Sequence, residues 1–154
     1  MLRIINSSVS YSAKIKAYLK FSEKIGAQNF DIVIASGVKG LQLARTNGDS
    51  LSAGVLLRRI GEAYYFKGDY DAAAKYFYES VNLFEKSKEK EALAYSYNSL
   101  AKLYRKNRDL SRSGDNYDKA MALFRSVGDS SGMAMIYNES GVVYEYAGNY
   151  EQAA

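Results

Sequence analysis

Along most of the chain, apolar residues recur three and four positions apart, the spacing that lines one face of a helix. Leu57, Ile60, Gly61 and Tyr64 share one such face, and Ala73, Phe77, Ser80, Val81 and Phe84 share another after Gly68. Each face requires a neighbouring helix to cover it. Gly68, Gly128, Gly148 and the Asn47-Gly48 pair stand where a helix should end in a left-handed residue. Asp49-Ser50 and Asp129-Ser130-Ser131 then supply N-cap side chains for the next helix. The pattern predicts helices over about 12–26, 29–46, 50–67, 70–87, 90–107, 110–127 and 130–147, an eighth helix beginning after Gly148, and no strand.

The helical pairs repeat. A shift of 80 superimposes Gly61 on Gly141, Tyr64 on Tyr144, Gly68 on Gly148, Tyr70 on Tyr150 and Ala73-Ala74 on Ala153-Ala154. Halving the shift to 40 brings Ala101, Tyr104, Leu110 and Tyr117 into the same positions and matches Leu83-Phe84 with Leu123-Phe124. Ala94, Tyr97, Asn98 and Tyr104 recur as Ala134, Tyr137, Asn138 and Tyr144. One step back, Phe30-Asp31 corresponds to Tyr70-Asp71, and Leu43 to Leu83.

A small residue, an aromatic three positions on, a glycine turn, and then aromatic, alanine and aromatic positions resemble the tetratricopeptide repeat (TPR). Gly61, Ala101 and Gly141 match its small contact residue, Tyr64, Tyr104 and Tyr144 its aromatic, and Ala73 and Ala153 its second-helix alanine, with Phe77 and Tyr117 following. Ser113 departs from that alanine, the closing proline is absent, and the period of 40 exceeds the usual ~34. Armadillo and HEAT repeats have periods near 40 but lack this glycine, tyrosine and alanine register.

The resemblance implies an all-α solenoid, a right-handed stack of antiparallel helix pairs with Tyr64, Ala73, Phe77, Tyr104 and Tyr144 largely buried. About 3.5 repeats are expected, over about 12–49, 50–89, 90–129 and an incomplete 130–154, after a disordered or cloning-derived N-terminus at 1–11. The match is close over residues 30–154 and poor over 12–29. In the first repeat Gly37 and Gly40 replace the bulkier residues of the others, marking an atypical end repeat or a place of close packing.

Composition narrows the chemistry. The 154 residues contain no histidine, cysteine, proline or tryptophan, so the commonest general base and metal ligand, thiolate nucleophiles and disulfides are all missing. No phosphate loop, paired-carboxylate signature or nucleophile motif is present. We therefore expect no catalytic residue, cofactor, metal or small-molecule substrate. No apolar run approaches the ~20 residues of a membrane span, and Met1 to Ala13 has no secretory h-region. The net charge is +4, and the segment Lys102–Arg112, with five basic residues and Asp109, carries all of it. Such a run is either a solvated helix face or a dock for an acidic partner. Most of the fifteen tyrosines fall on repeat positions, which reads as packing rather than a base-stacking platform.

In the family, the first helix of each pair lines the concave groove. By that register the groove-facing candidates are Arg58, Glu62 and Tyr65; then Tyr95, Asn98, Lys102, Arg105 and Lys106; then Met135, Asn138, Val142 and Glu145. Asn98 and Asn138 share one register position, and an asparagine amide offers both the donor and the acceptor an extended peptide backbone requires. Alternatively, they are two solvated helix asparagines.

The expected function is binding of a protein or peptide, acidic where it meets the Lys102–Arg112 cluster. The array also resembles N-terminal sensor regions of Bacteroidetes histidine kinases and helix-turn-helix regulators, which implies a signalling role. The compartment is then periplasmic for a membrane histidine kinase and cytoplasmic otherwise. A cytoplasmic scaffold and a nucleic-acid-binding repeat are the alternatives, the latter resting on the basic cluster and a pI near 9.1. The last repeat is expected to leave an apolar face at Ile136, Val143 and Tyr144 uncovered, and so to drive self-association.

Overall fold

A computed structural model describes residues 10–25 and 29–153, and the side chains of residues 10–24 and 29–141. Among the described residues there are seven helices and no strand. The chain divides into two compact units, residues 1–87 and 88–154. The N-terminal unit holds α1 (Tyr11–Ile25), α2 (Phe30–Thr46), α3 (Ser50–Lys67) and α4 (Tyr70–Ser87). The C-terminal unit holds α5 (Lys90–Lys106), α6 (Leu110–Val127) and α7 (Ser130–Ala153).

Helix boundaries follow the sequence pattern except at the end. The expected break at Gly148 does not occur, nor does the eighth helix; α7 continues through that glycine to Ala153. After Gly68 the chain folds back because α4 then buries Phe77 and Phe84 on α3. Staying in α7 keeps the backbone hydrogen bonds across Gly148.

The turns are metered. Gly48, Gly68, Lys88, Arg108 and Gly128, each 20 residues after the last, all have positive φ, from 59° to 84°. An acid follows every one. Asp49, Asp69, Asp109 and Asp129 each accept from the backbone N–H three residues on, at 2.9–3.1 Å. Glu89 makes no side-chain cap bond. The Lys88-Glu89 turn thus lacks both the glycine and the capping aspartate, and the two units divide there.

In the N-terminal unit, Ile15, Leu41, Ala44, Ala53, Leu56, Leu57 and Ile60 form the core. The fit of α4 on α3 depends on missing side chains: a Cβ on Gly61 would stand 2.7 Å from the Phe77 ring, and one on Gly54 would stand 2.3 Å from Phe84. Ser80 Oγ adds a hydrogen bond to the Gly54 carbonyl at 3.0 Å. Gly37 and Gly40 mark close packing, since Cβ atoms there would meet Ile60 and Tyr18 at 2.7 and 2.9 Å. Tyr11 Oη donates to the Asp49 carboxylate at 2.6 Å, tying α1 to the cap of α3. Burial, and then that carboxylate, push the Tyr11 phenol up to about 12.

In the C-terminal unit, Tyr117, Ala120 and Phe124 of α6 pack with Ala94 and Ala101 of α5 and Ile136 of α7. Ser113, the departure from alanine, sits buried and donates to the Ala101 carbonyl at 2.8 Å, replacing a methyl contact with a hydrogen bond. Ala73 and Phe77 are buried as expected. Tyr64 and Tyr104 are only half-buried: Tyr64 stacks on Tyr76 at 5.5 Å, and Tyr104 lies beneath the Arg112 guanidinium at 5.3 Å. Ile136, expected on an open face, is 1% exposed within the α5–α6 cluster. Gly141 has nothing within 4 Å of a built Cβ. The side chains of Val142, Val143, Tyr144, Glu145 and Ala153 lie outside the described residues.

Candidate peptide groove

Within each unit the first helices of successive pairs lie side by side at one register. In the N-terminal unit Arg59 of α3 donates to Ser22 Oγ of α1 at 3.1 Å, a separation of 37 residues, and to the Leu19 carbonyl at 2.8 Å. In the C-terminal unit Asn98 Nδ2 lies 3.9 Å from Met135 Sδ, also 37 residues away. Lys102 Nζ reaches Glu139 Oε1 at 3.1 Å, again across 37. A period of 40 displaced by about one helical turn produces this spacing.

On α3 the candidates satisfy one another. Arg58 pairs with Glu62 at 2.7 Å, an i,i+4 bridge within one helix. Beside them is a recess of about 250 Å³, with Val33, Ala63 and Phe66 as its apolar wall and Glu23 and Arg59 on its rim. Burial, and then the adjacent Arg58 charge, lower Arg59 from the usual arginine value, while Glu23 and Glu62 act in the opposite direction. Tyr65 points to packing, edge-on to Phe66 at 5.4 Å and tilted against Tyr70 at 5.6 Å. Phe66 remains 65% exposed and stacks on Phe30 at 5.5 Å.

On α5 and α7 the candidates meet across helices. Asn98 is 5% exposed, covered by Met135. Lys102 and Glu139 form the ion pair above, and Arg105 Nη1 donates to the Glu139 carbonyl oxygen at 2.9 Å. Two acceptors here, Asn98 Oδ1 and Glu139 Oε2, are buried without a hydrogen-bond partner. Lys106 is exposed further along α5. Tyr95 instead packs edge-on against Phe124 at 5.0 Å. Asn138, at the register position of Asn98, is exposed, so the two asparagines are not equivalent. Of the rest of the basic cluster, Arg112 bridges Asp109 at 2.9 Å.

Sequence reading missed Arg59, Ser22 and Glu139. A lone glutamate or serine on a helix carries no signal by itself. The separation of 37 within a 40-residue period would have found all three. Among the described residues no group of acids is placed to hold a metal, and no helix is long and apolar enough to cross a membrane.

Paired helices on a 40-residue period define the all-α repeat class, and comparison with known proteins narrows it. The tetratricopeptide-repeat family model matches residues 52–113 and 91–154, and the chain belongs to that family. No curated protein matches it. Among solved structures it is similar to BtubC (BKLC) from P. vanneervenii, with a TM-score of 0.78 and 16% identity over 99% of this chain and 64% of that one. It is also similar to a signal transduction ATPase with numerous domains (STAND) carrying a tetratricopeptide repeat sensor, from Pyrococcus horikoshii. There the TM-score is 0.75 and the identity 21%, over 91% of this chain and 22% of the other. The chain thus spans under two thirds of either protein, and at these identities the likeness is one of fold.

Proposed function

We propose that the chain is a protein- or peptide-binding module whose groove runs between α5 and α7. Tetratricopeptide repeats generally mediate protein interactions. The observation that carries the reading is the meeting of Asn98, Lys102 and Arg105 with Met135 and Glu139 on neighbouring first helices, where polar side chains bridge the two helices. An acidic residue of the ligand would dock on Lys106, which is exposed. A sensory or interaction role in a larger bacterial signalling protein, such as a two-component histidine kinase, is supported by family membership and by the likeness to the sensor-bearing ATPase. The module would be periplasmic in a membrane kinase and cytoplasmic in a scaffold. Self-association through α7 retains one support, Tyr137 at 64% exposure, since Ile136 is buried. Nucleic-acid binding fits less well, because Lys102 and Arg112 already face carboxylates.

Titrating the isotope-labelled chain with a pool of random nonapeptides tests the groove. Backbone amide shifts are expected to concentrate on α5 and α7. Shifts confined to α4 and α6, or binding of DNA alone that falls steeply with salt, would refute it.

A further inference from the structure

We propose that the α5–α7 groove selects a peptide bearing a lysine or arginine three or four residues from an aspartate or glutamate, the cation entering between Asn98 and Glu139. This rests on the groove reading above and reverses part of the electrostatic expectation from sequence. The Lys102–Arg112 segment looks like a receptor for acid alone. In the folded chain Lys102 is paired with Glu139, and Arg105 is committed to the Glu139 backbone carbonyl rather than to its carboxylate.

What remains unmet between α5 and α7 is acceptor capacity. Asn98 Oδ1 and Glu139 Oε2 are both buried and without a donor. An ionised carboxylate accepts through both oxygens, and here only Oε1 is engaged, by an ammonium on a flexible, partly exposed stem. A buried acceptor left unpaired carries its full desolvation penalty, so a ligand that delivers an N–H donor recovers it. A cationic donor fits better than a neutral amide, because charge-assisted hydrogen bonds are roughly twice as strong. The Met135 thioether, 3.9 Å from the Asn98 amide, offers a soft apolar wall for the methylene stem of lysine or arginine.

The acid follows from spacing. Lys106 lies eight residues beyond Asn98 on the same face of α5, about 12 Å at ~1.5 Å per residue. An extended peptide advances ~3.3 Å per residue and covers that distance in three or four residues.

A random nonapeptide array probed with the full chain should enrich Lys or Arg three or four positions from Asp or Glu. Glu139→Gln, isosteric and checked for an unchanged melting curve, is expected to weaken the selected peptide about tenfold, the loss of one hydrogen bond to a charged group. Lys102→Met removes the competing ammonium and should tighten the same peptide. An acid-dock groove predicts the opposite sign. Selection of purely acidic peptides, weakening by Lys102→Met, or affinity indifferent to Glu139→Gln would overturn this inference while leaving the groove intact. An array that captures nothing would remove both.

Discussion

Leu56 in α3 and Ser96 in α5 occupy one register position 40 residues apart, and both are fully buried. The same shift places Asn98 where Arg58 stands, Lys102 at Glu62 and Lys106 at Phe66. On α3 the charges close on their own helix or, through Arg59, tie α1 in place. On α5 they reach the neighbouring first helix and leave two buried acceptors unmet. One backbone template can therefore close the charges of a helix face on its own helix or carry them across to the next first helix. The choice lies in a few side chains rather than in the fold.

The largest break in this contrast is Leu56→Ser, which writes the α5 residue into α3. It should cost about 3–5 kcal/mol in urea unfolding, because Leu56 is fully buried in an apolar cluster and its truncation leaves a cavity. Ser96→Ala should cost about 1 kcal/mol, the loss of a hydrogen bond such as the one Ser96 Oγ gives the Ala92 carbonyl of its own helix at 3.2 Å. Near-equal losses would show that the two faces are not specialised.

A smaller effect, of opposite sign in the two units, is expected from equivalent glycines. Gly61→Ala drives a Cβ to 2.7 Å from the Phe77 ring and should destabilise by about 1–3 kcal/mol. Gly141→Ala enters open space within a helix and should stabilise by about 0.5–1 kcal/mol. Thermal melts of the two variants moving in the same direction would contradict the packing described for α3 and α4.

The smallest expected change is at the turn where the units divide. Glu89→Asp supplies the short carboxylate that caps the other four turns and should raise stability by about 0.5–1 kcal/mol. An unchanged melting midpoint would mean that the left-handed Lys88, rather than the missing cap, limits this turn.

Helix positions were legible where a turn glycine or a capping aspartate punctuates strongly periodic faces, as at both ends of α3 and α6 and at the start of α4; the α4–α5 turn, with neither signal, followed from the 40-residue repeat. The end of α7 was not, since Gly148 breaks a helix only when a following helix rewards the break. In the site, register identified Asn98 and Lys102 but could not show that one is buried and the other paired. Those facts depend on Met135 and Glu139, a whole repeat away in sequence. Arg58 and Glu62 were read as groove residues, and their mutual bridge was already implicit in their spacing of four.

The 20-residue cadence of left-handed residues, from position 48 to position 128, has a genetic consequence. Because each helix and its turn occupy the same length, recombination that inserts or removes 40 codons leaves every remaining helix in its proper role, first or second of a pair. A change of 20 codons preserves the cadence of turns yet exchanges those roles downstream, setting ring-bearing second helices where the first helices with small contact residues, Gly61 and Ala101, belong. Such an array can grow or shrink by whole pairs while half-steps are barred, even though the turns alone would tolerate both.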